Sequence, residues 1–173
     1  VFSSKDVDSE FHDTIVRYAT EGLHLYHDGD AFTSIDLWVH DNTFLNNTTG
    51  PTLTAQRSGD VQAKIWANRF ITNATHLLGR PSSVSGSLGG RLLVEAFDND
   101  FLGDSSQKAI VNNNQHNLLV GSAPCDVDPL TVDRNCVFNA MNNYWGHESG
   151  PTHNLNPGGQ GSSISSEIGA THN

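Results

Sequence analysis

One short phrase returns four times along this chain, and it constrains the fold more than any other feature. The phrase, an asparagine followed two residues later by an aromatic ring, occurs within "DNTFLNNTTGP", "ANRFITNATHL", "DNDFLGDSSQK" and "NNYWGHESGPT". Aligned on the ring, the copies place in equivalent positions Asn42, Asn68, Asn99 and Asn142, then Phe44, Phe70, Phe101 and Tyr144, with Trp145 following the last ring. A weaker copy upstream has Val16 in the ring position. Self-similarity of this kind indicates a repeat architecture of about five units.

Short alternating runs precede three of the copies, and they predict strands. The runs are "SIDLWVH" (34–40), "VQAKIWA" (61–67) and "GRLLVEAF" (90–97), in which apolar and polar residues alternate. No such unit can bury its apolar face alone, whereas stacking on the next unit can do so. We therefore predict an all-β parallel solenoid. An antiparallel sandwich with asparagine-rich turns is the alternative, and over residues 11–23 the apolar spacing also fits an amphipathic helix.

The repeated residues have a structural role in this interpretation. The rings are expected to form an interior stack, because each buries a large apolar area. Each asparagine is expected in a turn, where its side chain bonds the backbone of a neighbouring unit and so forms a ladder.

These motifs resemble the right-handed parallel β-helix proteins of the pectate-lyase-like class. The resemblance is carried by "TIVRYATEGLHLY", "DNTFLNNTTGPTL" and above all "NNYWGHESGPTHNLNPGGQGSSIS" (142–165). It implies a right-handed β-helix over residues 1–155, a Gly/Ser-rich closing segment or tail over 156–173, a secreted or cell-surface location, and often carbohydrate contact. Members are usually longer, which suggests a fragment of a longer chain, and the fold alone does not imply an enzyme.

Composition excludes some partners. The formal charge is −10, with 9 Lys plus Arg against 19 Asp plus Glu, so nucleic acid and anionic membranes are disfavoured. No apolar run is long enough to predict membrane insertion. Cys125 and Cys136 are the only cysteines; a disulfide is predicted, with two separate buried thiols as the alternative. Three asparagines begin glycosylation sequons: Asn46, Asn47 and Asn73.

Two sets of residues are candidates for a catalytic site. A polysaccharide lyase needs a basic residue and cations that neutralise a uronate, for which Lys64, Arg69 and Arg91 are the candidates. A glycosidase needs two carboxylates, for which Asp98 and Asp100 are the candidates. Solvated surface charges explain both sets more simply, so no catalytic residue is assigned.

Several acidic and histidine residues are candidate metal ligands. The acidic loop with Asp126, Asp128 and Asp133 could hold Ca²⁺, but its spacing matches no known calcium loop. "HLYHDGD" brings together His24, His27, Asp28 and Asp30 without a closed zinc ligand set, and a turn accounts for it. His147 and His153 flank the closing turn. No metal or other cofactor is assigned, with Ca²⁺ as the one open possibility.

The sequence therefore predicts a non-catalytic extracellular module with a structural or adhesive role. Its expected partners are other copies of itself, through end-to-end stacking of open strand edges, or a glycan. The alternative function is a polysaccharide lyase, epimerase or hydrolase that acts on an acidic glycan.

Overall fold

The computed structural model describes residues 9–29, 34–57, 60–82, 91–104, 106–112, 137–140, 142–153 and 156–164. These residues form strands and turns and no helix, and every pairing between their strands is parallel. The all-β prediction is therefore confirmed. The antiparallel sandwich is wrong, and so is the helix over residues 11–23, because that stretch contains two short strands and the start of a third.

In residues 9–112, groups of three strands recur in the same order along the chain, and we number these groups as repeats 1 to 4; the last three strands form repeat 5. Repeat 1 contains β1 (Ser9–His12), β2 (Ile15–Arg17) and β3 (Glu21–Gly29); repeat 2 contains β4 (Ser34–His40), β5 (Thr43–Leu45) and β6 (Thr49–Arg57); repeat 3 contains β7 (Asp60–Trp66), β8 (Arg69–Ile71) and β9 (Thr75–Ser82); repeat 4 contains β10 (Arg91–Phe97), β11 (Asp100–Leu102) and β12 (Lys108–Asn112); repeat 5 contains β13 (Val137–Asn139), β14 (Pro151–Thr152) and β15 (Gly161–Ile164).

The strands assemble into three parallel sheets, which the chain visits in turn in repeats 1 to 4; in repeat 5, β14 and β15 both belong to the third sheet. The first sheet has the order β1-β4-β7-β10-β13, the second β11-β8-β5-β2, and the third β14-β15-β12-β9-β6-β3. Equivalent residues of successive repeats lie side by side: Phe44 is opposite Val16 on one side and Phe70 on the other. Residues at one position of the repeat are therefore brought together in a row that crosses the sheet.

One hydrophobic core lies between the three sheets. In β4, Ile35, Leu37 and Val39 are buried while Asp36 and Trp38 are on the outer face, because side chains alternate along a strand. The same alternation buries Val61, Ala63 and Ile65 of β7. Buried residues from all three sheets form a single cluster, so each repeat completes the core of the next.

The last residues that the structure describes, 161–164, belong to the third sheet. β15 pairs with β12 and lies between it and β14, and both Ser162 and Ile164 are buried. Residues 161–164 therefore form an inner strand of this sheet, with β14 beyond them at its edge. Cys125 and Cys136, whose disulfide was predicted, lie outside the described residues.

Candidate functional site

A ladder of asparagine side chains runs through the interior at the turn between the first and second sheets. The Oδ1 atom of Asn68 accepts hydrogen bonds from both the backbone N–H and the Nδ2 atom of Asn42, each at 3.0 Å. Asn99 Oδ1 accepts the same two hydrogen bonds from Asn68, and Asn143 Oδ1 accepts them from Asn99. The Nδ2 atom of Asn68 also donates to the carbonyl of Val39, in the preceding repeat. Each amide therefore satisfies buried backbone groups of its neighbour.

The fourth ladder position corrects a prediction: it is Asn143, and not Asn142. Asn142 has a φ of 57° and is exposed. The equivalent turn residues Asp41, Ala67 and Asp98 also have positive φ angles, of 55°, 53° and 53°. In repeats 2 to 5 the ladder asparagine follows this left-handed residue, a conformation that L-residues rarely adopt and asparagine tolerates well. Asn142 therefore makes the turn, and the residue after it enters the ladder.

Four aromatic rings stack beside the ladder, inside the second sheet. The ring centroids of Phe44 and Phe70 are 5.3 Å apart, those of Phe70 and Phe101 are 4.8 Å apart, and Trp145 continues the stack 5.1 Å from Phe101. Tyr144, the predicted fourth ring, is 48% exposed. The predicted position of Tyr144 is therefore wrong. A buried tyrosine needs a hydrogen-bond partner for its hydroxyl group, whereas a tyrosine outside the core can bond to water.

A second asparagine ladder, which the sequence analysis missed, lies at the turn between the second and third sheets. Asn73 Oδ1 accepts from the backbone N–H of Asn47 at 2.8 Å, and Asn47 Oδ1 accepts from that of Ala19 at 2.9 Å. Here too the preceding residues, Tyr18, Asn46 and Thr72, have positive φ. The signal was present, since Asn47 and Asn73 both stand three residues after the aromatic ring.

The two ladders end at the same repeat. In repeat 1 their positions are occupied by Thr14 and Ala19, whose backbone N–H groups donate to Asn42 and Asn47. Neither side chain carries an amide. The ladder amides of repeat 2 thus reach back to repeat 1, while repeat 1 has no equivalent group.

The second ladder limits the glycosylation sequons. The side chains of Asn47 and Asn73 are buried, and their Nδ2 atoms donate to the carbonyls of Val16 and Phe44. A glycan on either nitrogen is incompatible with this fold. The Asn46 side chain is exposed, so it alone of the three sequon asparagines is accessible.

A buried histidine packs against the aromatic stack. His76 is fully buried, and its ring lies 6.1 Å from the ring of Phe70 and 5.9 Å from that of Phe101. Its Nδ1 atom is 3.2 Å from Asn73 Nδ2, while its Nε2 atom is buried with no hydrogen-bond partner within the described part of the chain. Burial lowers the pKa of His76 from 6.5 to about 4, so the imidazole is neutral at physiological pH.

We expect His76 to make the fold sensitive to acid. Between pH 6.5 and pH 4 the unfolded chain binds a proton on this residue and the folded chain does not. The stabilising effect of a neutral His76 is therefore complete above pH 6.5, and about 3 kcal/mol of it is lost as the pH falls to 4. Urea unfolding across this range should show a shallower loss for His76→Gln than for the unsubstituted protein. His12→Gln, which removes an exposed imidazole, is the control, and equal slopes in all three proteins would contradict the expectation.

The cations considered for lyase chemistry are paired with carboxylates on neighbouring strands. Lys64 Nζ is 3.8 Å from Glu95, and Arg69 Nε is 3.7 Å from Asp100. Both pairs are exposed, so each contributes about 0–1 kcal/mol to stability. Asp98, the other proposed acid, is the left-handed turn residue before Asn99. The side chain of Arg91 lies outside what the structure describes.

The histidine and acid motifs do not form a metal site in the described residues. His24 is 3.1 Å from Glu21 and 3.2 Å from Thr54, His27 is buried, and His147 bonds Ser149 at 2.8 Å. No three His, Cys, Asp or Glu side chains within the described ranges come close enough to hold a metal ion. The acidic loop with Asp126, Asp128 and Asp133 is outside these ranges, as are Asp30 and the side chain of Asp28.

The outer face of the first sheet carries aromatic side chains that the sequence analysis did not single out. His12, His40, Trp66 and Phe97 form one row, with ring centroids 5.2, 4.3 and 6.0 Å apart. Hydrogen bonds from His40 to Asp41 and then to Glu10 raise the pKa of His40. The adjacent row contains Trp38, which is 42% exposed, between Glu10 on β1 and Lys64 on β7.

The chain matches no protein-family model, no curated protein and no solved structure. The described part of the chain contains no helix with the length and apolar character that crossing a bilayer requires.

Proposed function

We propose that the chain is a right-handed parallel β-helix of about five coils, of the pectate-lyase-like class. Three parallel sheets, visited in the same cyclic order by repeats 1 to 4, support this assignment. The handedness follows from a general rule, since connections between parallel strands of one sheet are right-handed in nearly all proteins.

Its function, in this proposal, is that of a non-catalytic structural or adhesive module outside the cell. One observation carries the proposal: the repeated asparagines and aromatic rings of repeats 2 to 4 contact their counterparts in the neighbouring repeat, inside the fold. Such a coil is rigid, and its outer faces hold side chains at a fixed spacing of about 4.8 Å between strands. A rigid array of this kind suits repeated weak contacts with a glycan or with other copies of the chain.

The pairing of cations with carboxylates supports the non-catalytic role. A lyase must neutralise a uronate carboxylate with cationic groups. Lys64 and Arg69 each have a carboxylate within 4 Å instead, and the chain carries a formal charge of −10. An acidic polysaccharide is thus repelled by most of this surface.

We expect no unsaturated product when the protein is incubated with polygalacturonate or alginate, with or without added Ca²⁺. Ultraviolet absorbance of the unsaturated uronate is the measurement, and a known lyase is the positive control. Product formation that disappears in Lys64→Ala would overturn the proposal in favour of an enzyme. Sedimentation velocity on the same sample tests self-association, since end-to-end stacking predicts species that grow with concentration.

A further inference from the structure

Trp38 is an exposed tryptophan on the outer face of the first sheet. It lies in β4, within the first sheet, and its side chain points away from the core because Leu37 and Val39 point inward. Tryptophan is usually well buried, since its ring is large and mostly apolar. With 42% of Trp38 exposed, the ring presents apolar surface to solvent. The adjacent row with Trp66 and Phe97 extends this surface beyond a single side chain, and a contiguous apolar patch is a mark of a binding site.

The groups around Trp38 are hydrogen-bonding side chains, with Leu93 as the exception. Across the sheet, Lys64 is in the same row on β7 and Glu95 follows on β10. The next row contains Asp36, Gln62 and Leu93. We call this set the Trp38 face: Asp36, Trp38, Gln62, Lys64, Leu93 and Glu95. All its residues are on strands of one sheet, so their backbone positions are fixed before a ligand arrives.

We propose that the Trp38 face binds a neutral glycan. A sugar ring has an apolar C–H face, which packs on an aromatic ring, and a rim of hydroxyl groups, which need both donors and acceptors. The Trp38 face supplies the ring, the Gln62 amide, the Lys64 ammonium group and the Glu95 carboxylate, while one carboxylate oxygen of Asp36 is buried. This inference rests on the adhesive role proposed above and names its ligand class.

The charge of the face selects a neutral glycan over an acidic one. Asp36 and Glu95 carry negative charge, and Lys64, the single cation of the face, is already 3.8 Å from Glu95. A uronate would meet more negative than positive charge here, whereas a neutral sugar bonds to both. The alternative aromatic of this sheet, Trp66, has one ring face covered by His40 at 4.3 Å, so Trp38 is the better stacking surface.

Affinity gel electrophoresis against soluble polysaccharides tests the proposal. The probes are hydroxyethylcellulose, xyloglucan, arabinoxylan, galactomannan and laminarin as neutral polymers, with polygalacturonate as the acidic one. We expect at least one neutral polymer to retard the full chain and polygalacturonate not to do so. Trp38→Ala should weaken the binding by about tenfold or more.

Tyr144→Ala is the matched control, because Tyr144 is an aromatic of similar exposure that lies beside the second sheet. It should bind as the unsubstituted chain does, and thermal unfolding should show that both variants are folded. The proposal is overturned if no neutral polymer binds, if Trp38→Ala retains binding, if both variants lose it equally, or if polygalacturonate binds best. Failure here leaves a non-catalytic scaffold intact, whereas uronate cleavage would overturn that role independently.

Discussion

Replacement of Phe70 by alanine is expected to lower the free energy of unfolding by about 3–5 kcal/mol. Phe70 is fully buried between two other phenylalanine rings, at 5.3 and 4.8 Å. Its removal leaves a cavity lined by Phe44, Phe101 and His76, and the strands on either side cannot close it without breaking their register. Urea unfolding followed by far-ultraviolet circular dichroism measures the loss.

The control for this variant is Tyr144→Ala, which shortens the neighbouring aromatic of repeat 5. Because Tyr144 is largely exposed, its loss should change stability by less than about 0.5 kcal/mol. Comparable losses in the two variants would show that Tyr144 and Phe70 have the same environment, and the ring stack described above would then be wrong.

The second large effect is expected for Asn68→Ala, at about 3 kcal/mol or more. The change removes the acceptor for the backbone N–H of Asn42 and the donor to the carbonyl of Val39. These groups are buried between repeats, where water cannot replace the lost partner. Asn68→Asp should also destabilise, because a carboxylate would place an oxygen against that carbonyl.

Asn46→Gly is the control for the ladder. It also removes an asparagine side chain, but from an exposed left-handed turn that glycine adopts readily. We expect a change within about 0.5 kcal/mol. A loss for Asn68→Ala no larger than this would mean that the ladder contributes little to the fold.

The repeats could be found from the sequence because they place the same residue types at the same interior positions. Alternation along residues 34–40 and 61–67 predicted strands, and β4 and β7 lie there. Phe44, Phe70 and Phe101 mark the buried position of the second sheet because a three-residue strand has a single inward side chain. A short strand thus leaves a clear signal at one residue.

The last copy of the phrase, at residues 142–145, was aligned incorrectly because its sequence permits two registers. "NNYW" contains both Asn142 two residues before Tyr144 and Asn143 two residues before Trp145. Only the backbone decides between them, since one residue must take the left-handed turn before the ladder. The choice shifts the interval from Asn99 to its partner by one residue, to 44.

His76 and Trp38 could not be placed from the sequence for a different reason. Both interrupt the usual association of polar residues with the surface and apolar residues with the core. His76 is a buried imidazole and Trp38 an exposed indole. The polarity of each side chain alone assigns it to the opposite environment, although the alternation along β4 does point Trp38 outward. These two side chains, which depart from the pattern, carry the acid sensitivity that we expect and the ligand that we propose.

The ladders have a direction, because Thr14 and Ala19 have no side-chain amide. Each ladder asparagine bonds backbone groups of the preceding repeat, so repeat 1 accepts these contacts from repeat 2 and offers no equivalent contact of its own. An engineer who duplicates repeat 2 or 3 in the interior of the coil brings the necessary amides along with the copy. A repeat added ahead of β1, by contrast, would gain the ladder hydrogen bonds only if Thr14 and Ala19 were changed to asparagine.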